Sequence, residues 1–284
     1  MRLYFYLKEG FKMMTRSWRA FRAELYKQHR NDFGGSKVIF YSLLMWPVLT
    51  FLTTYYSFKP FRDGAGSALA QVIEGGDIAL FLLSGFLVFQ IFWTVVQSAW
   101  TFELERKQGT LEVVYLTPAS KTVFLYGRSV YSLFNGIWMF FVFCILTFFF
   151  ISNLSGISWG YLAASLLLMI VSAVIWGAFL CALCLFSRDS GYLYYIFYGP
   201  MNLFGGVRIP PTVFPYWAKI AAALFPVTYS LFMLRQALEG QIDSTWWLMC
   251  GGLVLFNALL IPVTYGILTL AERHARRQGS WTLF

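Results

Sequence analysis

Charge is what this sequence has least of. Of its 284 residues, 12% are charged, about half the share in a soluble globular domain. Too few polar groups remain to cover a water-facing surface, which excludes a soluble fold. Histidine is scarce: His29 and His274 are the two, both in basic stretches, and neither stands beside a partner suited to acid–base catalysis. No serine elbow or metal-spaced cluster occurs. No G-x-x-x-x-G-K-[ST] phosphate loop occurs either; Gly34-Gly35-Ser36-Lys37 has the wrong order. The chain therefore carries no ATP-binding machinery of its own. Its four cysteines, Cys144, Cys181, Cys184 and Cys250, all fall in apolar blocks, which argues against a disulfide framework or a zinc site. Cys181-x-x-Cys184 reads as small apolar packing, since no electropositive setting surrounds the pair.

What fills the space is apolar. Hydrophobic residues make up 58% of the chain, in blocks long enough to cross a hydrocarbon core, which takes about 20 helical residues. Five blocks are clear: Val38 to Phe58, Ile78 to Phe102, Phe124 to Ile151, Trp159 to Phe186 and Trp246 to Leu270. A sixth, Tyr192 to Val207, is shorter and contains glycine. The tract from Tyr216 to Leu234 is apolar but interrupted by Lys219 and Pro226. Aromatics, 20% of the chain, suit interfacial belts.

The N-terminus lacks the short apolar core and small-residue cleavage site of a signal peptide. Instead Leu3, Leu7, Phe11, Met14, Trp18, Phe21 and Leu25 recur at steps of four or three, one stripe of a helix. Lys8, Lys12, Arg16, Arg19 and Arg22 flank it. The reading is an amphipathic helix in the membrane interface, apolar face down, cations near headgroups; packing on a partner is compatible with it. Gly10 offers a break.

The net charge of +9 in a soluble protein would point to nucleic acid; here its placement orients the chain, and no nucleic-acid partner is expected. With six spans and a cytoplasmic N-terminus, 17 of the 22 Lys and Arg fall inside, as cytoplasmic loops require. A seventh span over 216–234 would put the basic tail outside. That tract is therefore expected to form two short helices broken at Pro226, dipping in and out from the outer face and covered by other spans. Within the clear spans only Arg128 is ionisable; near an inner end, its stem is expected to snorkel to the interface. Missing intramembrane carboxylates oppose an ion-coupled carrier or a charged filter.

Two segments carry a family likeness. Glu103-Leu-Glu-Arg-Lys-Gln-Gly-Thr-Leu-Glu-Val-Val-Tyr-Leu-Thr-Pro-Ala-Ser120 resembles the E-R-x-x-G-T-L-E…T-P-x-S stretch of ABC type-2 export permeases. Phe204-Gly-Gly-Val-Arg-Ile-Pro-Pro, Phe214-Pro-Tyr-Trp217, Phe225-Pro-Val-Thr-Tyr229 and Leu234-Arg235 are similar to that family's outer segment between its last two spans. The first also reads physically: Gly109 permits a turn, Thr110 caps a short helix with Glu112 near its positive end, and Thr117-Pro118 stops it.

The resemblance implies an all-α integral membrane protein with six transmembrane helices, an N-terminal amphipathic interface helix and a re-entrant outer helical pair between spans five and six. Its divisions are a cytoplasmic interface segment, 1–36, and a six-span permease domain, 37–284. That domain would include a cytoplasmic coupling helix at about 103–121 and a re-entrant outer segment at about 205–244. The resemblance implies a transport subunit driven from elsewhere. Glu103, Glu105, Arg106, Lys107, Gly109, Thr110, Leu111, Glu112, Thr117 and Pro118 would meet, or position helices against, a separate ATPase subunit. Gly205, Gly206, Arg208, Pro210, Pro211, Pro215, Pro226 and Arg235 would form an outer gate. Arg208 and Arg235 read as interface anchors ahead of headgroup or substrate contacts.

Implied partners are two ABC nucleotide-binding subunits, a second permease copy (the same chain or a related one) and membrane lipid. ATP and magnesium would be held by the ATPase subunits, and no cofactor by this chain. The implied cargo is an amphiphilic drug, antibiotic or lipid-like molecule moved outward across a bacterial-type inner or plasma membrane, with both termini cytoplasmic. The alternative within the class is a lipid-linked polysaccharide exporter of teichoic acid or O-antigen type, to which Trp46-Pro47 and the basic amphipathic start bear a looser likeness. From other classes the rivals are an ion-coupled carrier and a non-transport membrane scaffold.

Overall fold

The computed structural model describes residues 17–30, 78–107, 109, 120–150, 156–184, 191–240 and 242–278, with helical positions scattered between 41 and 57. Most of the first expected span lies outside the described residues, as do the whole 59–77 loop and the turn before Gly191. Among the described residues every regular element is helical. Helix α1 covers 17–30. It is followed by α2 (Ile78–Lys107), α3 (Lys121–Phe150), α4 (Trp159–Cys184), α5 (Gly191–Phe204), a 3₁₀ turn (Pro211–Val213), α6 (Tyr216–Ala223), α7 (Pro226–Glu239) and α8 (Ser244–Gln278).

Two of these, α4 and the Ser244–Ala271 part of α8, are by themselves long and apolar enough to cross a membrane. Helices α6 and α7 reach that length only together, and they meet at a 94° bend. Helix α5, with 14 residues, is about 21 Å long, short of a hydrocarbon core. Helix α2 continues to Lys107, past the expected boundary at Phe102, because the Glu103–Lys107 stretch consists of strong helix formers. Gly109, at φ +71°, turns the chain beyond it. At the start of α8, Asp243 Oδ1 accepts the Thr245 N–H at 2.9 Å, a helix cap.

The bundle is organised around α4, which packs against α2, α3, α7 and α8. Its buried face is largely small: Ser165, Ser172, Ala173, Gly177, Ala178, Cys181 and Ala182. In lipid no hydrophobic drive joins apolar helices, so small residues that let backbones approach do that work. Gly177 sits where a Cβ would run into Val95 Cγ1 of α2 and come within 3.0 Å of Ser129 Oγ of α3. Hydrogen bonds hold α4 to α8. Ser172 donates to Asn257 Oδ1 at 3.0 Å, and Trp246 Nε1 donates to Ser165 Oγ at 3.3 Å. The outward face of α8 is apolar, with Trp247, Leu248, Leu255 and Leu259 each at least 60% exposed. Such a continuous apolar face suits lipid.

Gly177→Val is expected to separate α4 from α2 and α3, costing about 1–3 kcal/mol by overpacking. A lowered melting temperature in detergent, with Gly160→Val unchanged because nothing lies within 4 Å of Gly160, is the result that checks this.

Candidate functional site

At one end of α2 the chain buries charge. Arg128, in the second turn of α3, is 2% exposed and among the largest fully buried side chains. Its Nη1 donates to Glu105 Oε2 at 2.9 Å and lies 3.9 Å from Glu24 Oε1. Lys27 Nζ reaches the same Glu105 oxygen at 3.0 Å and Glu24 Oε2 at 2.9 Å. Gln28 Nε2 donates to both acids, at 2.7 Å to Glu24 and 3.0 Å to Glu105. Among the described residues, two carboxylates, two cations and an amide from α1, α2 and α3 are thus joined in a charge-balanced network.

Arg128 therefore does not snorkel to an interface. Its guanidinium is turned inward because two carboxylates await it there, and paired, hydrogen-bonded charge can stay buried where single charge cannot. Helix α1 turns Glu24 and Gln28 inward, 4% and 7% exposed, together with Phe21 of the apolar stripe, whereas Trp18 of that stripe is 61% exposed. Gly127 permits the approach: a Cβ there would stand 3.2 Å from Phe21 Cδ2 and 3.6 Å from Glu24 Cβ.

Of the expected coupling residues, Glu103, Glu105, Arg106 and Lys107 belong to the last turns of α2 itself, so no separate helix begins at 103. Glu105 faces α1 and α3, and Gly109 makes the following turn. Thr110, Leu111, Glu112, Thr117 and Pro118 lie outside the described residues.

The second assembly lies at the other end of α2. Phe81 and Glu105 are 24 residues apart, or about 36 Å along a helix. Arg235 of α7 donates from Nη1 to Gly206 O at 2.8 Å, from Nη2 to Phe81 O at 2.9 Å and Val207 O at 3.3 Å, and from Nε to Ser84 Oγ at 3.3 Å. Its Cζ is 3.4 Å from the Phe81 ring centroid. Rather than anchoring a helix end in the interface, Arg235 fastens α7 and the 205–207 loop onto α2. Two of the acceptors, the Gly206 and Val207 carbonyls, are left over where α5 stops; the other two belong to α2. Gly206, at φ +79°, reverses the chain so that its carbonyl points at the guanidinium. Pro211 packs on Gly206, and Pro210 and Pro215 precede the 3₁₀ turn and α6 at their first residues. Arg208, next to Val207, is exposed.

Pro226 breaks the α6–α7 tract because it has no N–H to continue α6 and is well placed as a first helical residue. The break leaves carbonyls that need donors at depth. Thr228 Oγ1 donates to Ala222 O at 2.7 Å, and Tyr229 OH donates to Ala223 O at 3.0 Å. Phe225, at the tip, meets Trp176 of α4, with ring centroids 6.2 Å apart.

A family model described as ABC-2 type transporter matches residues 19–238. The chain belongs to the ABC-2 type transporter family. It is thereby a membrane component of an ABC transporter, and the family implies association with ABC ATP-binding subunits. A search of the curated proteins found no match to it.

In this ABC-2 type transporter chain both assemblies lie within the matched span, and both depend on residues that sequence reading did not single out. Glu24, Lys27 and Gln28 carry no motif; their one signal is an acid on the otherwise basic stretch 17–30. Ser84-Gly85 was read as ordinary span, yet a Cβ at Gly85 would strike Val207 O and stand 2.8 Å from Arg235 Nη2. A small polar pair inside an apolar run is the signal for such close approach.

Burial works to raise the Glu105 carboxyl, but Arg128 first and then Lys27 overcome it, holding the group below its ordinary value near 4.5. A carboxyl so lowered contributes stability above the unfolded value that is lost as pH falls through the folded one. Thermal stability should therefore fall below about pH 4.5, and Glu105→Gln should flatten that dependence. The facing groups are Arg128, Lys27, Glu24 and Gln28. Arg128→Met, which strands both acids, should cost about 3–5 kcal/mol, read as a drop in melting temperature at neutral pH. At the bend, Thr228→Val should cost about 1–3 kcal/mol by the same measurement.

Proposed function

We propose that this chain is the transmembrane subunit of an ATP-driven exporter, six spans with both termini cytoplasmic, paired with a second copy or a related chain. Two separate ATPase subunits, holding ATP and magnesium, bind on the cytoplasmic side, at the end of α2 that carries Glu105. Residues 110–118 form the coupling element that docks on them, and the α6–α7 bend closes the path on the outer side of a bacterial-type inner or plasma membrane. The cargo class is an amphiphilic drug, antibiotic or lipid-like molecule.

The observation that carries this reading is the anchorage of the last turns of α2, beyond which the sequence runs through Gly109 into the coupling-type stretch 110–118: Glu105 there joins α1, α2 and α3. A push on that segment acts on three helices at once. A solvated loop on a scaffold protein would need no such anchorage. The ion-coupled alternative finds no support: the buried acids Glu24 and Glu105 are engaged with cations at one end of the bundle, away from a mid-membrane ion site.

The test is co-purification of the chain with its cognate ATPase, followed by reconstitution in vesicles. Complex formation and substrate-stimulated ATP hydrolysis are expected. Glu112→Lys should lower that stimulation by about tenfold or more, the loss of roughly one charge-assisted contact. A chain that neither binds the ATPase nor alters its turnover sinks the proposal.

A further inference from the structure

A buried polar atom of α4 goes unused by the fold. Trp176 is 3% exposed, and its Nε1 has no hydrogen-bond partner among the described residues. Four phenylalanine rings close on the indole: Phe179 of α4 itself, Phe197 of α5, Phe225 at the α6–α7 bend and Phe256 of α8. Their centroids lie 5.4, 5.5, 6.2 and 6.3 Å away. None of them carries an oxygen acceptor, and a ring face is a weak substitute. A buried water is no remedy, since it needs about two to four polar partners and phenyl rings supply none. An N–H taken from water without an acceptor costs stability. A phenylalanine would join the same ring cluster without that loss. The indole nitrogen therefore contributes nothing to the bundle as it stands.

Position gives it a use. Trp176 lies 17 residues from Trp159 and eight from Cys184, the two ends of α4. The cluster thus sits about 26 Å from one end of that helix and about 12 Å from the other, at hydrocarbon depth. Phe197 and Phe256 stand within α5 and α8, and Phe179 shares α4 with Trp176. Phe225 alone of the four precedes a helix, as the cap residue of α7, where the chain bends. It is the member of the cluster that a movement of the bend would withdraw.

We infer that Trp176 is a specificity-determining donor for the cargo. When the bend withdraws, an aromatic ring of the cargo takes the place of the Phe225 ring, and an aryl carbonyl on it accepts from Nε1. The surrounding rings are uncharged, so the group received here is neutral. The inference rests on the reading above that the α6–α7 bend closes the path, and it names the part of the amphiphile that is recognised.

Fluorenone and fluorene share one ring system and differ in the carbonyl. Equilibrium dialysis of each, tritiated, against the full chain in phosphatidylcholine nanodiscs reads binding at equal bilayer concentration, with empty nanodiscs as blank. Wild type should hold fluorenone about tenfold more tightly than fluorene, the worth of a hydrogen bond to a donor already out of water. Trp176→Phe keeps a ring and should erase that preference. Infrared difference spectra with isotope-labelled fluorenone should show a carbonyl band lowered by hydrogen bonding in wild type and lose it in Trp176→Phe. Phe225→Ala should tighten binding of both compounds about three- to tenfold, the worth of one aromatic pair, because the tip no longer competes. Equal binding of the two by wild type, or a preference that survives in Trp176→Phe, overturns the donor. No gain in Phe225→Ala overturns the exchange of rings. Should Trp176→Phe fail to fold, the wild-type ratio and carbonyl band decide the donor. Binding of the ATPase is scored separately: a chain that prefers fluorenone but binds no ATPase keeps the site and loses the exporter reading, and the reverse result loses the site alone.

Discussion

The Glu105 carboxylate is the constraint around which one whole end of this protein is built. Three donors share it: the Arg128 guanidinium, the Lys27 ammonium and the Gln28 amide. Removing a carboxylate and a guanidinium from water costs several kcal/mol per ion, so the pair persists only where geometry and extra hydrogen bonds offset that loss. Here the offset requires α1, α2 and α3 to be correctly placed together, since each contributes a member. The network therefore adds specificity more than strength. It fixes where α1 lies and how α2 ends, both next to the segment that turns at Gly109.

Arg235 does the corresponding work at the far end of α2, by different chemistry. Among the described residues, backbone carbonyls of Phe81, Gly206 and Val207 and the Ser84 hydroxyl receive its protons. Carbonyls become available because the chain stops being helical after Phe204, and Gly85 lets them come close. Helix α2 is thus held by a guanidinium at each end, with a stiff helix between, while the small-residue face of α4 lies against its middle. A displacement at either end has few ways to dissipate along such an element, because packed helices shift as bodies rather than stretch.

How much of this the sequence shows depends on how local each cause is. The break at Pro226, the turn at Gly109 and the apolar blocks rest on single residues or short runs, and each lies where composition and backbone chemistry place it. The partnership of Glu24, Glu105 and Arg128 has no local cause. Its members stand up to about a hundred positions apart, and each is also an ordinary surface residue by type. By type and position Arg128 is an ordinary cation near a helix end; only the simultaneous presence of two acids at that spot turns it inward. Ser84-Gly85 was invisible for a similar reason: its role exists only once Arg235 and the 205–207 loop arrive. Thr228 and Tyr229, by contrast, follow Pro226 directly, and a break that frees carbonyls in an apolar setting demands nearby hydroxyls.

A neutral joint has a mechanical consequence. If the end of α2 tilts or shifts, the Glu105 network can travel with it as a unit, with the two cations and two anions of the described residues side by side and no unpaired charge drawn into a lower dielectric. An unpaired Arg128 in the same place would resist such movement by its desolvation alone. The charges at this end therefore act as a hinge that can be carried rather than a ratchet that must be solvated. Among the described residues the network sets buried cations and acids side by side at this end of α2, so a movement of that end draws no unpaired charge into an apolar setting.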